Sequence, residues 1–308
     1  MKHIFIINPI SGNKNPSPML RALIRDAEEK LGVKAEIFET KYKGNGTELA
    51  RFWADWAENN KEFVRIYACG GDGTFNEVLS GVVGSQWTEI ACVPCGSGND
   101  FVRNFGTKDD FLNIYTLMQG KSQKIDLIQT SVGCSAAICS AGLDAKVAYN
   151  IPKYRRIPFC GGNVAYLLSI VEQLFGKMGH KISIEIDGKV IKQDCLMIAI
   201  CNGTYYGGGF SAAPEAKLDD GLLDVMIIKK ISRLRIAKIL NLYKNGKHIQ
   251  NGKVSEEVED IIQFVRGKNV KLKVLDDKPI IVTVDGECSE QFELSAQIIP
   301  QAISICIP

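Results

Sequence analysis

Apolar and polar positions follow two rhythms along this chain, and the change between them near residue 128 divides it. Before that point, short apolar runs alternate with stretches of helical spacing. Ile4 to Ile7, Val33 to Phe38, Phe63 to Ala68 and Glu89 to Val93 read as strands. Leu20, Leu23, Ile24 and Ala27 mark one helix face, Leu49, Phe52, Trp53 and Trp56 a second, and Phe75, Val78, Leu79, Val82 and Val83 a third. Strands alternating with helices predict an α/β domain over residues 1–128, with a parallel sheet covered on both faces. From Lys181 onward, short alternating strands dominate: Ile182, Ile184 and Ile186, then Leu196 to Ile200, Leu222 to Ile228, Leu272 and Val274, and Ile280 to Val284. Asp187-Gly188, Asp220-Gly221 and Asp285-Gly286 predict hairpin-type turns. Residues 129–308 therefore read as a mainly antiparallel, two-layer β domain. It is preceded by one helical segment, Ala165 to Phe175, and interrupted by another, Arg233 to Tyr243.

Composition narrows the function classes. With 308 residues there is room for two domains, and 45% apolar with 23% charged residues is ordinary for a soluble globular protein. A net charge of +2 gives no electrostatic case for nucleic acid. The apolar run at Ile4 to Ile7 is too short for a signal-peptide core, and no stretch approaches the ~18–20 apolar residues of a membrane span. The expectation is a cytoplasmic protein. Ten cysteines are scattered, several inside apolar runs (Cys69, Cys139, Cys195, Cys201, Cys306), as in a reduced chain with small buried thiols. Cys92-Val93-Pro94-Cys95 is formally C-x-x-C, but no second pair completes a zinc set, and small residues suit a strand running into a glycine loop.

The candidate chemistry begins at Gly70-Gly71-Asp72-Gly73-Thr74-Phe75-Asn76-Glu77, which joins a strand to a helix. Glycines let the backbone approach a ligand closely, and the unpaired N–H groups of a helix start favour an anion, phosphate above all. Thr74 and Glu77 stand three apart and fit a capping box at that helix start. The plainer alternative is a tight turn before a capped helix. Pro94-Cys95-Gly96-Ser97-Gly98-Asn99-Asp100 repeats the logic after strand four, with Asn99 or Asp100 as an N-cap on the plainer reading. In parallel sheets ligands bind beyond the carboxyl ends of the strands, so Asn8 to Gly12, Thr40 and both glycine loops are placed to converge.

GGDGTFNEV resembles the nucleotide loop of bacterial diacylglycerol kinases and related lipid and sphingoid-base kinases. Shorter versions of it occur in NAD kinases and phosphofructokinases. The other motifs of the lipid kinase family follow in order from Asn8 to Glu287, so the resemblance covers nearly the whole chain. It implies a phosphofructokinase/NAD kinase-like first domain, a β-sandwich second domain and a chain end (Ile303 to Pro308) that returns to the first. Asn8-Pro9-Ile10-Ser11-Gly12 is similar to NPxSG, Thr40 matches a threonine at the end of strand two, and the second glycine loop is similar to PxGTxND with Ser97 in place of threonine.

The resemblance implies ATP contacts at Asn8, Pro9, Ser11, Gly12, Thr40, Gly70, Gly71, Asp72, Gly73, Thr74, Asn76, Glu77, Gly96, Ser97, Asn99 and Asp100, with Asp72 also in the catalytic set. Ala213 to Asp224 resembles APxAxxDDGxLD, which implies Mg²⁺ held by the Asp220 side chain and the backbone oxygens of Lys217 and Leu222. On the residues alone, this is equally a turn with solvated acids. Val284-Asp285-Gly286-Glu287 resembles the family's DGE, which implies Glu287 as general base; on spacing alone, Glu287 is an exposed strand residue after a hairpin turn.

The implied activity is ATP- and Mg²⁺-dependent phosphoryl transfer to a lipid hydroxyl, diacylglycerol first, at the inner membrane surface. A homodimer stays open. Two rivals remain. One is an NAD kinase-like or other soluble-acceptor kinase, against which stand the Asn76-Glu77 extension and the late DGE. The other is a non-catalytic nucleotide- or lipid-binding regulator, against which stand intact acids at Asp72, Asp220 and Glu287. For membrane contact the sequence offers Arg233 to Lys244, with Ile236, Ile239, Leu240 and Tyr243 on one face and Arg233, Arg235, Lys238 and Lys244 beside them. A packed domain helix has the same periodicity. Lys153-Tyr154-Arg155-Arg156 is a second basic candidate.

Overall fold

The computed structural model describes every residue except Ser97, residues 156–161 and Lys177. The chain forms two units, Met1–Leu127 with Pro300–Pro308, and Ile128–Ile299.

The first unit alternates β1 (Lys2–Ile7), α1 (Ser17–Leu31), β2 (Ala35–Glu39), α2 (Asn45–Asn60), β3 (Val64–Gly70), α3 (Asp72–Val82) and β4 (Thr88–Pro94), followed by the short helices α4 (Lys108–Leu112) and α5 (Ile114–Met118). Its strands lie in the order β2-β1-β3-β4, all parallel. Beyond β4, Ile305 and Cys306 from the last strand of the chain pair with Ile90 and Ala91, again parallel. Every residue of β3 and β4 is buried, because helices cover both faces of such a sheet. That burial includes the cross-strand pair Arg65 and Glu89, whose Nε and Oε1 lie 2.7 Å apart. The Arg65 guanidinium also donates to the carbonyls of Leu117, Met118 and Gly120, satisfying acceptors at the end of α5 that have no partner within that helix.

β5 (Lys121–Thr130) leads into the second unit, which contains β6 (Gly133–Ser135), β7 (Ile138–Gly142), α6 (Leu143–Arg155), α7 (Gly162–Phe175), β8 (His180–Ile186) and β9 (Lys189–Cys201). The small pair β10 (Tyr205–Tyr206) and β11 (Phe210–Ser211) precedes β12 (Leu223–Lys229) and α8 (Arg233–Lys244). A second small pair, β13 (Ile249–Gln250) and β14 (Lys253–Val254), precedes β15 (Ile262–Gly267), β16 (Asn269–Val274), β17 (Ile280–Val284), β18 (Glu287–Gln291) and β19 (Glu293–Ile307). Pairing among these strands is antiparallel: β18-β17-β7-β9-β8-β16-β19, with β12 joined to β9 and β15. The core is built by alternation. Ile182, Ile184 and Ile186 face Val274, Leu272 and Val270 across β8 and β16 and are buried, whereas Lys271 and Lys273 between them are exposed. The architecture is thus a mostly parallel α/β unit and an antiparallel β-sandwich-like unit, as the two rhythms predict.

Two local expectations change, and one open alternative closes. Asp187-Gly188 and Asp285-Gly286 do close two-residue hairpins with positive φ at both positions, the type I′ geometry. Asp220-Gly221 does not: only Gly221 has positive φ, and the Asp220 carboxylate accepts the Leu222 N–H at 3.1 Å, an Asx turn entering β12. Helix α6 has no counterpart among the predicted elements, because its apolar residues are spread around the helix and Pro152 interrupts the pattern. On α8, Ile236 and Tyr243 are buried and Ile239 and Leu240 half-buried, so its apolar face packs inward.

Candidate functional site

In the first unit, β1, β3 and β4 end in loops that pack against one another. Asn8, at the end of β1, donates from Nδ2 to Thr74 Oγ1 at 3.1 Å, and its own Oδ1 accepts the Ile10 N–H at 3.1 Å. The Gly70 carbonyl accepts from the N–H groups of Cys95 (2.8 Å) and Gly96 (3.0 Å), which ties the first glycine loop to the second. The contact is so close that a Cβ on Gly96 would overlap the Cα of Gly71. A Cβ on Gly12, which has φ of +77°, would stand 2.5 Å from the Cys95 carbonyl oxygen. A Cβ on Gly71 would approach Ser11 Oγ to 3.9 Å. Three strand ends therefore form one cradle lined by backbone. α3 begins there at Asp72, with its first N–H groups and the positive end of its dipole beside the cradle.

The Asp72 carboxylate is used inside the cradle. Oδ1 accepts the Asp100 N–H at 3.0 Å, and Oδ2 would stand 2.5 Å from a Cβ on Gly98. Asn99 sits at φ of +54° and closes its own turn, with Oδ1 accepting the Gly96 N–H at 3.2 Å and Nδ2 donating to the Gly96 carbonyl. Asp100 is buried and pairs with Arg103 at 3.3 Å. Thr40 stands at the end of β2, with its N–H on the Ile7 carbonyl at 2.9 Å. Pro9, Gly73 and Asn76 flank these contacts in sequence, and Asn76 is half-buried on α3. Ser97 lies outside the described residues.

The capping box at the start of α3 does not form. α3 begins at Asp72 with Gly71 as N-cap and no side-chain cap, so Thr74 is already inside the helix. Its hydroxyl takes the Asn8 amide instead. The Glu77 carboxylate turns to a different helix: Oε1 accepts the Gly44 N–H at 2.8 Å and Oε2 the Gly46 N–H at 3.0 Å. It caps α2, which lacks a side-chain cap from its own N-cap residue. A Cβ on Gly46 would come 2.7 Å from Glu77 Oε2, so the glycine makes room for the acid.

The C-x-x-C pair is chemically quiet. Burial pushes the Cys92 thiol well up, with the Asp72 charge adding to it, and burial pushes Cys95 up to about 11. Both stay protonated at neutral pH and are poor nucleophiles.

In the second unit, the Asp285-Gly286 turn separates two carboxylates by role. Asp285 points inward: its oxygens accept from Ser135 Oγ at 2.5 Å and from the N–H groups of Ala136 (2.9 Å) and Ile138 (3.2 Å). Burial raises its pKa, and those bonds offset only part of the rise. Glu287, at the start of β18, is exposed. Asp220 and Lys217 are also exposed, and Leu222 is half-buried. Asp220 and Glu215 both act electrostatically on Asp224, a buried acid whose Oδ1 is paired with Arg266 Nε at 2.7 Å. Among the described residues, no three His, Cys, Asp or Glu side chains group as a metal cage. Asp220, one exposed carboxylate, is an oxygen ligand of the kind Mg²⁺ takes alongside several waters. The first unit's loops meet backbone to backbone at Gly12, Gly71 and Gly96, and the N–H groups at the start of α3 beside them are of the kind that suit a phosphate.

Gly98 is absent from the predicted set although it stands in the second glycine loop, as are Gly44 and Gly46, whose spacing at the start of α2 was the available signal.

Comparison with known proteins follows the same division. Residues 2–130 match the diacylglycerol kinase catalytic domain, and residues 137–307 match the YegS C-terminal NAD kinase beta sandwich-like domain. The diacylglycerol kinase of Bacillus subtilis (strain 168) is 27% identical over 285 residues, covering 92% of this chain and 88% of that protein. The diacylglycerol kinase of Staphylococcus carnosus (strain TM300) is 25% identical over 305 residues, covering 98% and 94%. The crystal structure of a diacylglycerol kinase from Bacillus anthracis str. Sterne superposes over 100% of this chain and 97% of its own, with a TM-score of 0.71 at 19% identity, which shows a shared fold.

Proposed function

The chain belongs to the family that joins a diacylglycerol kinase catalytic domain to the YegS C-terminal NAD kinase beta sandwich-like domain, and from that membership we propose that this kinase transfers the γ-phosphoryl group of ATP to a lipid hydroxyl, diacylglycerol first among the acceptors. The observation that carries the reading is the backbone cradle at Gly12, Gly71 and Gly96, where a side chain on Gly12 or Gly96 would overlap the backbone of the neighbouring loop. Such a surface recognises phosphate oxygens through N–H groups and not through shape-selective side chains.

In this reading Gly70 to Gly73, Gly12, Ser11 and Gly96 hold the nucleotide phosphates. Asn8 and Thr74 brace the loop from behind, and Asp72 fixes the second glycine loop by its bond to Asp100. Thr40, Pro9, Asn76, Ser97, Asn99 and Asp100 are further contacts that the family resemblance implies; Glu77, which it also implies, we assign instead to the cap of α2. Glu287 takes the proton of the acceptor hydroxyl as the new P–O bond forms, and Asp285, committed to its own three donors, keeps the turn that presents it. Mg²⁺ at Asp220, with the backbone oxygens of Lys217 and Leu222, would offset phosphate charge or brace the turn. Most of the catalysis comes from positioning and electrostatics, as in other phosphoryl transfers. The protein works at the membrane surface, where its acceptor is.

The test is labelled ATP offered with a panel of lipids in mixed micelles, products resolved by chromatography. Label is expected in phosphatidic acid. Label in NADP after NAD is supplied, with none in any lipid, overturns the lipid assignment.

A further inference from the structure

Among the described side chains of helix α7, two polar ones face inward and three apolar ones face outward. The polar side chains Ser169 and Gln173 are buried, and Ser169 Oγ donates to the Val147 carbonyl at 2.7 Å. The apolar side chains Val164, Leu168 and Val171 are 48%, 37% and 42% exposed. These three are spaced i, i+4, i+7, so they form one stripe about 10 Å long on the face opposite Ser169 and Gln173. A helix that packs only on its own domain places its residues the other way round. At 14 residues α7 measures about 21 Å, short of a bilayer core, and no helix among the described residues is long and apolar enough to cross one.

Charge gathers at the C-terminal end of this stripe. Gly176 follows α7, and its carbonyl accepts from Arg233 Nη2 at 3.2 Å. Lys146 Nζ lies 4.0 Å from where a Cβ on Gly176 would sit, and the stem of Lys230 lies 3.0 Å from the same point on Gly179. Leu234, next to Arg233, is 81% exposed. The acid on α7, Glu172, is bound by Lys153 Nζ at 2.7 Å and the Tyr154 hydroxyl at 2.6 Å. Lys153 and Lys146 thus act on the one carboxylate of α7, while Arg233 and Lys230 lie against the segment that follows the helix. The apolar side of α8, which the sequence left open between membrane contact and packing, is turned inward, and Arg235 of that helix is held by Asp260. Arg156 of the other candidate lies outside the described residues.

We propose that the outer face of α7, with Leu234 and the Lys146, Lys230 and Arg233 cluster, is the surface by which this protein docks on an anionic lipid bilayer. Val164, Leu168 and Val171 enter the acyl boundary while the cations meet lipid headgroup charge. The inference rests on the lipid-kinase reading and deepens it by naming the surface.

The test uses the full chain, vesicles of phosphatidylcholine with and without phosphatidylglycerol, and a short-chain diacylglycerol kept below its micelle concentration. The variant Val164→Ser/Leu168→Ser/Val171→Ser is expected to lose at least about tenfold in vesicle affinity, since apolar burial drives such binding. Its turnover of the dissolved acceptor should match wild type. Lys230→Gln/Arg233→Gln should remove the preference for phosphatidylglycerol. Wild-type vesicle affinity in the triple variant overturns the docking face, as does a triple variant that only converts a dimer to monomer in sedimentation. If wild type binds vesicles but never phosphorylates the dissolved acceptor, the kinase reading fails while the docking result stands.

Discussion

A side chain on Gly96 would begin inside the van der Waals radius of the Gly71 Cα. Backbone meets backbone there, so neither neighbour can swing away. Gly96→Ala is expected to part the two loops and reduce ATP affinity at least about tenfold, because a preorganised phosphate cradle tolerates little displacement. Isothermal titration measures it. Unchanged affinity would take the nucleotide away from these loops.

Glu77→Ala should behave differently. Its carboxylate caps α2 at Gly44 and Gly46, so its loss should cost about 0.5–2 kcal/mol of stability, the range for a lost helix cap. Thermal melting and nucleotide titration on the same sample separate the roles. A folded variant of normal stability that loses ATP would return Glu77 to the nucleotide set.

The two carboxylates of the Asp285-Gly286-Glu287 turn should separate cleanly. Glu287→Gln should lower lipid turnover by ~10²–10⁴ with ATP affinity intact, the effect of removing a general base. Asp285→Ala strands three donors and should cost about 1–3 kcal/mol in stability for each donor left buried and unpaired. Retention of more than about a tenth of turnover in Glu287→Gln would move the base elsewhere.

Asp220→Ala should weaken the dependence of turnover on Mg²⁺ without changing the fold, because Asp220 is exposed and its bond to the Leu222 N–H is local. Turnover titrated against Mg²⁺ gives the answer. An identical Mg²⁺ profile would leave Asp220 as a turn residue alone.

His3 predicts a pH dependence for the first unit. Burial, followed by the charge of Arg65, lowers its pKa from 6.5 to about 4, and its Nδ1 lies 2.8 Å from the Tyr67 hydroxyl. The unfolded chain binds the proton first as pH falls. The contribution of His3 is therefore full above pH 6.5 and is lost as pH falls toward about 4. Melting curves of wild type and His3→Gln should differ in slope across that window. Parallel curves would refute the shift.

Both architectures were legible because period sets the face of every strand and helix, and period is a local property. Ile182, Ile184 and Ile186 announce their buried face without help from the rest of the chain. What stayed hidden depends on partners far away in sequence. Thr74 and Glu77 carry the right types for a local capping box, yet Asn8 takes the one and Gly44 with Gly46 takes the other. Asp220-Gly221 looks like its two hairpin counterparts, but the strand that follows pairs with β9 and β15 and with no strand immediately before the turn. The exposed stripe of α7 was hidden for a related reason: an apolar helix reads as core until its surroundings are known.

Because Ile305 and Cys306 pair with β4, the first sheet is assembled from the two ends of the chain. A ribosome releases Met1 to Leu127 long before it reaches those residues. The first unit therefore waits with the flank of β4 unpaired while all of the second unit is made. Order of synthesis and order of completion are reversed, since the unit begun first is finished last. A fragment cut at residue 128 would keep that open strand flank permanently and invite self-association through it.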